Sequence, residues 1–209
     1  MMQKYSKQEL LEGEPNFRRD FINSLTGFKS LTLIGTRNEK GVSNLAPFSQ
    51  VFHIGASPPL IGILFRPHTV ERHTLANILD TGLFTLNHVH ESFYKQAHQT
   101  AARYSGSEFE AVGLEEDILE GFFAPFVKMS PVKIACSLAD HQTIQLNQTV
   151  LVIGAIEAVW VDDQAVGEDG FIDLEKVGTI TVTGLDSYHK TQKLARLSYP
   201  KPNSEVKEI

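Results

Sequence analysis

Short apolar runs, cut every few residues by turn signals, are the feature of this 209-residue chain that most restricts its fold. Lys29 to Arg37, Ser43 to His53, Leu60 to Phe65, Leu83 to Val89, Val132 to Leu138 and Thr179 to Thr183 read as strands. Thr143 to Val161 is longer, and it either bends near Asn147 or pairs with the run before it. Asn38-Glu39-Lys40-Gly41 has the chemistry of a hairpin turn, and Ser57-Pro58-Pro59 that of a corner. Helical spacing is sparse. Phe17, Phe21 and Leu25 recur every four residues ahead of Gly27. Past Pro67, the residues Val70, Leu75, Ile78 and Leu79 fall on one side of a helix that Gly82 ends. His90 to Ala102 is weakly amphipathic, Ser105 to Gly121 is acidic and irregular or partly helical, and the tail from Pro200 is polar and loose. Dominant short strands with few helices predict a mainly β fold, an antiparallel barrel in preference to a doubly wound parallel sheet. We expect one domain over residues 1–209, with an N-terminal helix at about 15–26 and a loose tail at about 200–209.

Composition removes several function classes. A hydrophobic content of 42% is enough for one substantial core. The formal charge of −6 opposes a nucleic-acid partner, whose phosphates need a basic face. Leu60 to Phe65 and Val150 to Val161 are too short or interrupted to span a bilayer, and Met1 to Glu14 has no apolar signal core. Cys136 is the only cysteine, so no internal disulfide forms, and a reducing cytoplasm is the expected location. In the alternation of Ile134, Cys136 and Leu138 it reads as a buried structural thiol. There is no Gly-x-Gly-x-x-Gly, Gly-Lys-Ser/Thr or Gly-x-Ser-x-Gly. His88, His90 and His98 lack an acid or cysteine at metal spacing, so no metal is expected.

Two segments carry more. Asn44-Leu45-Ala46-Pro47-Phe48-Ser49 is too apolar for a surface loop and too polar at its ends for a plain core strand. Arg72-His73-Thr74-Leu75-Ala76-Asn77 opens a helix with a cation and a hydroxyl, a combination suited to a phosphate. Arg66, at the end of the preceding strand, reaches the same place, and His68 with His73 either adds contact to the phosphate or caps the turn. A flavin requires donors for its phosphate, hydrogen bonds for its pyrimidine edge and an apolar surface for its ring. Backbone groups from Asn44 to Ser49 would serve that edge, with Pro47 removing one donor and perturbing the pairing there. Each residue alone also fits a plain role: Asn44 in a turn, Phe48 in the core, Arg72 and Thr74 on a solvated helix face. Together they point to FMN.

On these residues, and on Ser57-Pro58-Pro59-Leu60, Thr81-Gly82-Leu83-Phe84-Thr85-Leu86-Asn87 and the acidic Ser107-Glu108-Phe109-Glu110-Ala111-Val112-Gly113-Leu114, the chain resembles the flavin reductase-like family of FMN-binding split β-barrels. The resemblance runs from about Gly27 to Tyr188. It implies a homodimer with FMN at the subunit interface, and hydride transfer from NADH or NADPH to flavin N5. It also implies that the family's Asn-x-Ala-Pro-x-Ser strand is Asn44 to Ser49, and that its Lys-Asp-Thr-x-x-Asn phosphate segment is Arg72-His73-Thr74-x-x-Asn77. His73 replaces an acid there and makes the segment more positive. Where many relatives have Gly-Gly before a tyrosine, this chain has Gly184-Leu185-Asp186-Ser187-Tyr188-His189. Tyr188 and His189 line the nicotinamide or substrate position, or Tyr188 is an ordinary interface aromatic. No side chain is required as acid or base, although His189 and His53 are the imidazoles of first interest. Such enzymes pass electrons to a partner monooxygenase or another acceptor. The alternatives are an FMN-binding protein without turnover and an oxidase of the pyridoxamine-phosphate kind.

Overall fold

A computed structural model of the protein describes residues 1–67 and 72–209. Ser6 and Glu9 cap each other reciprocally to open α1 (Lys7–Glu12), and Pro15 with the Glu14 side chain opens α2 (Pro15–Ser24). Neither helix buries a residue. There follow β1 (Lys29–Ser30), β2 (Thr32–Arg37), β3 (Ser43–Phe48), β4 (Val51–Ala56), β5 (Pro59–Phe65), α3 (His73–Thr81), β6 (Leu83–His88), α4 (Tyr94–Gln99) and α5 (Glu108–Val112). The chain continues through β7 (Glu116–Asp117), β8 (Phe126–Val127), β9 (Val132–Ile144), β10 (Thr149–Val161), β11 (Thr181–Thr183) and β12 (Ser187–His189).

Seven strands form one antiparallel sheet in the order β3-β2-β6-β9-β10-β5-β4. Its two edge strands, β3 and β4, are consecutive in the chain and joined by Ser49 and Gln50 alone. The sheet therefore curls until its edges meet, yet β3 and β4 do not pair, and the barrel stays split. The run read as Ser43 to His53 is thus two strands at opposite edges. Asn38 to Gly41 makes the expected hairpin turn, with the Gly41 amide donating to Asn38 O at 2.9 Å. The run from Thr143 resolves into the pairing alternative: β9 and β10 form one hairpin turning at residues 145–148. Lys29 to Arg37 divides at Leu31, and β1 joins β11 and β12 in a separate small sheet. The tail folds back on itself, with the Ser198 amide donating to Lys207 O and the Ile209 amide to Arg196 O.

The sheet has a core on each face. Inside the barrel, Ile34, Ile63, Phe65, Phe84, Leu86, Cys136 and Val152 meet Leu75 and Ile78 of α3. On the other face Leu31, Leu33, Leu45 and Val89 pack with Phe93 and Ala97 of α4, Phe109 of α5, Val127 and Val182. Burial of Cys136, with Glu157 nearby, pushes its thiol up to about 12, consistent with a packing role. Of the apolar positions assigned to α3, Leu75 and Ile78 are buried and Leu79 is exposed; Val70 lies outside the described residues. Gly82 ends α3 at φ 70°, a left-handed conformation where a side chain is strained. Among the described residues no helix is long and apolar enough to cross a membrane.

One close approach fixes the segment before β8 against the sheet. Thr85 Oγ1 donates to Pro125 O at 2.6 Å, and a Cβ on Gly35 would stand 2.1 Å from that same oxygen. Gly35→Ala should therefore lower stability by about 2 kcal/mol or more in urea unfolding, and an unchanged midpoint would show that the 125 segment is not seated on β2. A second prediction concerns pH. Burial lowers the His88 pKa from 6.5 to about 4, so the folded state binds fewer protons than the unfolded chain between those values. The associated stability is complete above pH 6.5 and is lost as pH falls toward 4, by up to about 3 kcal/mol since the side chain keeps some solvent contact. Urea unfolding at both ends of that window should show a smaller acid loss in His88→Gln.

Candidate functional site

β3 is an edge strand, and its outward side is where this sheet meets solvent or a ligand. The Asn38 amide donates to Val42 O, so Asn44, Ala46 and Phe48 turn their amides toward β2 while Ser43, Leu45 and Pro47 face outward. Pro47 consequently costs no ladder bond, and the β2–β3 register runs through it without a shift. Leu45's outward amide is taken by the buried carboxylate of Glu108, at 3.0 Å. The edge left unclaimed therefore begins beyond Leu45, at the half-buried Ala46, Pro47 and Ser49. Phe48 points inward and packs edge-on against Phe65, ring centroids 4.8 Å apart, which holds this end of the strand.

A buried polar network ties that strand to α3. Asn44 Nδ2 donates to Thr74 Oγ1 at 2.9 Å and to Thr36 Oγ1 at 3.3 Å, and Asn77 Nδ2 donates to the same Thr36 oxygen at 3.0 Å. All four side chains are buried. The Asn44 amide thus serves the scaffold, and Asn77 sets the rotation of α3 on β2. The first helical bond runs from the Ala76 amide to Arg72 O, so the amides of Thr74 and Leu75, in the first turn, have no acceptor within the helix. The N-cap Arg72 makes no side-chain cap bond among the described residues, and the first turn contains no acid. Thr74 Oγ1 accepts from Asn44 and keeps its own hydrogen to donate. Arg72 is half-buried with its Nε donating to Pro67 O at 3.3 Å, and His73 is exposed. Arg66 is exposed at the end of β5, close enough to Lys29 to add to the burial that lowers the lysine's pKa. A donor set of helix amides, hydroxyl and guanidinium, with no carboxylate beside it among the described residues, suits a phosphate. The half-buried strand edge beside it suits a flat heteroaromatic ring, so the residues fit a flavin nucleotide. His68 lies outside the described residues.

Tyr188 and His189 are on β12, away from α3. Tyr188 packs on the core that contains Leu45, and its hydroxyl meets His98 Nδ1 of α4 at 2.5 Å. Its phenol is raised above the usual value, by burial first and by Asp186 second. His189 turns to Thr183 Oγ1 at 2.7 Å and to Ser187 Oγ at 3.1 Å, with its ring edge-on to Phe28. His88 Nδ1 faces Thr179 Oγ1 and His90 Nδ1 faces Ser92, so each has its own partner. His53 is exposed on β4.

Thr36, Glu108 and His98 had no role assigned from sequence. Thr36 carried a signal, a polar residue closing the apolar stretch Leu33-Ile34-Gly35; Glu108, in its acidic segment, and His98 carried none that distinguishes them from solvated side chains. Replacing Thr36 by the isosteric Val leaves two buried amide groups short of an acceptor and should cost about 2 kcal/mol in urea unfolding, whereas Thr36→Ser should stay within about 1 kcal/mol of the parent. Equal stability of Val and Ser variants would mean that the network does not hold α3.

The fold and residues can be set beside known proteins. A Shewanella frigidimarina NCIMB 400 protein described as a flavin reductase with a split barrel domain is 50% identical and superposes with a TM-score of 0.92, covering 95% of this chain and 100% of its own. Nitrilotriacetate monooxygenase component B from Bacillus cereus shares the fold at 23% identity and a TM-score of 0.80, over 94% of this chain and 99% of its own. An FMN-binding protein from Thermus thermophilus does so at 17% and 0.70, over 93% of this chain and 100% of its own. Residues 28–178 match the flavin reductase like domain, and with its antiparallel split barrel the chain belongs to that family.

Proposed function

We propose that this chain is an NAD(P)H-dependent flavin oxidoreductase that binds FMN, works as a homodimer with the flavin at the subunit interface, and delivers electrons to a separate acceptor. The observation that carries this reading is the Asn44–Thr74 hydrogen bond. It locks the N-terminus of α3, with Arg72 beside it, against an unclaimed strand edge. When bound, FMN supplies the two-electron chemistry, accepting hydride at its N5 from the reduced nicotinamide. The protein's part is positioning. Amides of the first turn of α3, the Thr74 hydroxyl and the Arg72 guanidinium hold the phosphate, Arg66 and His73 raise the local potential, and Asn77 keeps the helix in register. Backbone groups of Ala46, Pro47, Phe48 and Ser49 line the ring edge, Leu45 being anchored to Glu108 just before them, and the Phe48–Phe65 contact keeps them from shifting. For the substrate side, the packing of Tyr188 on the Leu45 core supports its role; His189 is committed to Thr183 and Ser187. A monooxygenase is the acceptor class favoured by the likeness to a monooxygenase component B.

The purified full chain should take up added FMN, turn yellow, and lose its visible absorbance under nitrogen when NADH or NADPH is added. Yellow protein indifferent to both nicotinamides would leave an FMN carrier in place of a reductase, and failure to bind FMN would overturn the reading. Arg72→Ala should weaken FMN binding about ten-fold, the size of one charge-assisted contact, while leaving riboflavin binding unchanged because riboflavin has no phosphate. An equal effect on both ligands would remove Arg72 from the phosphate site.

A further inference from the structure

The N-terminal helices α1 and α2 hold no buried residue although they carry the most concentrated apolar side chains on the surface. Phe17, Phe21 and Leu25 form a stripe along α2 with Ile22 beside it, and Tyr5 folds over the two phenylalanines at centroid distances of 6.1 and 4.9 Å. Phe17, Phe21 and Leu25, with Asp20 and Ser24, line a shallow hollow that none of the described residues fills. Leu25 is 63% exposed, and Phe28, where the segment enters β1, is 69% exposed. This is more than stray surface hydrophobicity.

The area of the whole chain agrees. Its accessible surface is 13181 Å². A compact monomer of 23.3 kDa would expose about 9,700 Å². The difference, about 3,500 Å², exceeds the roughly 800 Å² per partner of a standard interface and is ample for a permanent dimer. We propose that α1 and α2 form an arm whose apolar stripe is buried against a second copy of this chain. The proposal rests on the homodimer put forward above and adds the element that builds it.

Two features favour a second copy over other occupants. Residues 1–25 carry Lys4, Lys7, Arg18 and Arg19 against Glu9, Glu12, Glu14 and Asp20, so the arm is neutral and lacks the basic face that anionic lipid attracts. The root of the arm also adjoins an open sheet edge. Ser30 Oγ donates to Val51 O at 3.3 Å, and on β4 beyond it Phe52 and Ile54 are 45% and 39% exposed. An apolar arm and an apolar strand edge on the same side of one molecule are the two halves that a two-fold contact needs, each copy offering both.

Sedimentation velocity over a range of concentrations, with far-UV circular dichroism as the folding control, tests this on the full chain. The parent should dimerise, and Leu25→Glu and the double variant Ile22→Glu/Leu25→Glu should raise the dimer Kd by about ten-fold or more with an unchanged spectrum, because a charge would have to be buried. Leu25→Lys should do the same, which separates burial from charge sign. A dimeric parent whose variants dimerise equally well overturns the arm and leaves the homodimer standing. A parent that is monomeric at every concentration overturns both.

Discussion

A two-residue link decides the shape of this protein. β3 and β4 stand at opposite ends of a seven-strand ladder, yet only Ser49 and Gln50 join them. Laid flat, six inter-strand steps would put those edges about 29 Å apart. The three peptide steps from Phe48 to Val51 reach at most about 11 Å. Curling the sheet is the only way to satisfy both, and the interior it encloses is where Ile34, Phe65, Phe84 and Leu86 find their core. The link turns too sharply for β3 and β4 to pair, so one side of β3 keeps a free backbone edge. Barrel and free edge thus have one cause.

What is done with that free edge distinguishes a site from a liability. An unpaired strand invites association with another strand. Here Glu108 occupies the Leu45 amide, Pro47 has no amide to offer, and the Leu64 amide donates to Gln50 O just past the bend. The remaining opening is short, and it lies beside the first turn of α3 because Thr36 gathers the amides of Asn44 and Asn77. Burying four polar side chains costs desolvation, which their mutual hydrogen bonds offset only when all are made in one geometry. A small apolar cluster at that place would hold α3 as tightly, but it would tolerate rotation of the helix about its own axis. The polar network does not, and aim is what a row of backbone amides requires.

Much of this was legible in the sequence because it rests on local rules. The Asn38 to Gly41 turn, the corner at Ser57-Pro58-Pro59, the Gly82 helix stop and most strand positions follow from turn chemistry and apolar runs, and the antiparallel barrel follows from the dominance of short strands, whereas the split was implied only by the family resemblance. The break at Ser49 was not legible, since a single serine beside Gln50 is a weak turn signal and the curl that forces the break is a property of the whole sheet. Pro47 appeared to disturb pairing because a sequence does not say which amides face the neighbouring strand. Asn44 and Thr74 stood out as a pair of suggestive polar residues; that they bond to each other, with Thr36 as the shared acceptor, depends on three elements meeting in space. Leu79 follows the apolar spacing of α3 and still faces solvent, since a nine-residue helix seated on a curved sheet buries a narrower stripe than the spacing allows.

The chain's charge of −6 would count against an anionic nucleotide if the field of the whole molecule governed capture. It does not reach that far. At physiological ionic strength the field of an exposed charge decays over about 8 Å, so exposed acids farther than that from α3 contribute little there. A guanidinium about 4 Å from a phosphate gains about 1 kcal/mol in water and roughly 4 kcal/mol where the effective dielectric near the surface is about 20. Partial burial of Arg72 moves it toward the second figure, and the amides of Thr74 and Leu75 add the dipole of a first turn that contains no carboxylate. Local geometry therefore outweighs net charge. If this segment holds a phosphate as proposed, His73 in place of the acid that the family resemblance implies acts in the same direction, by removing a repulsive charge from inside the range where charges still matter.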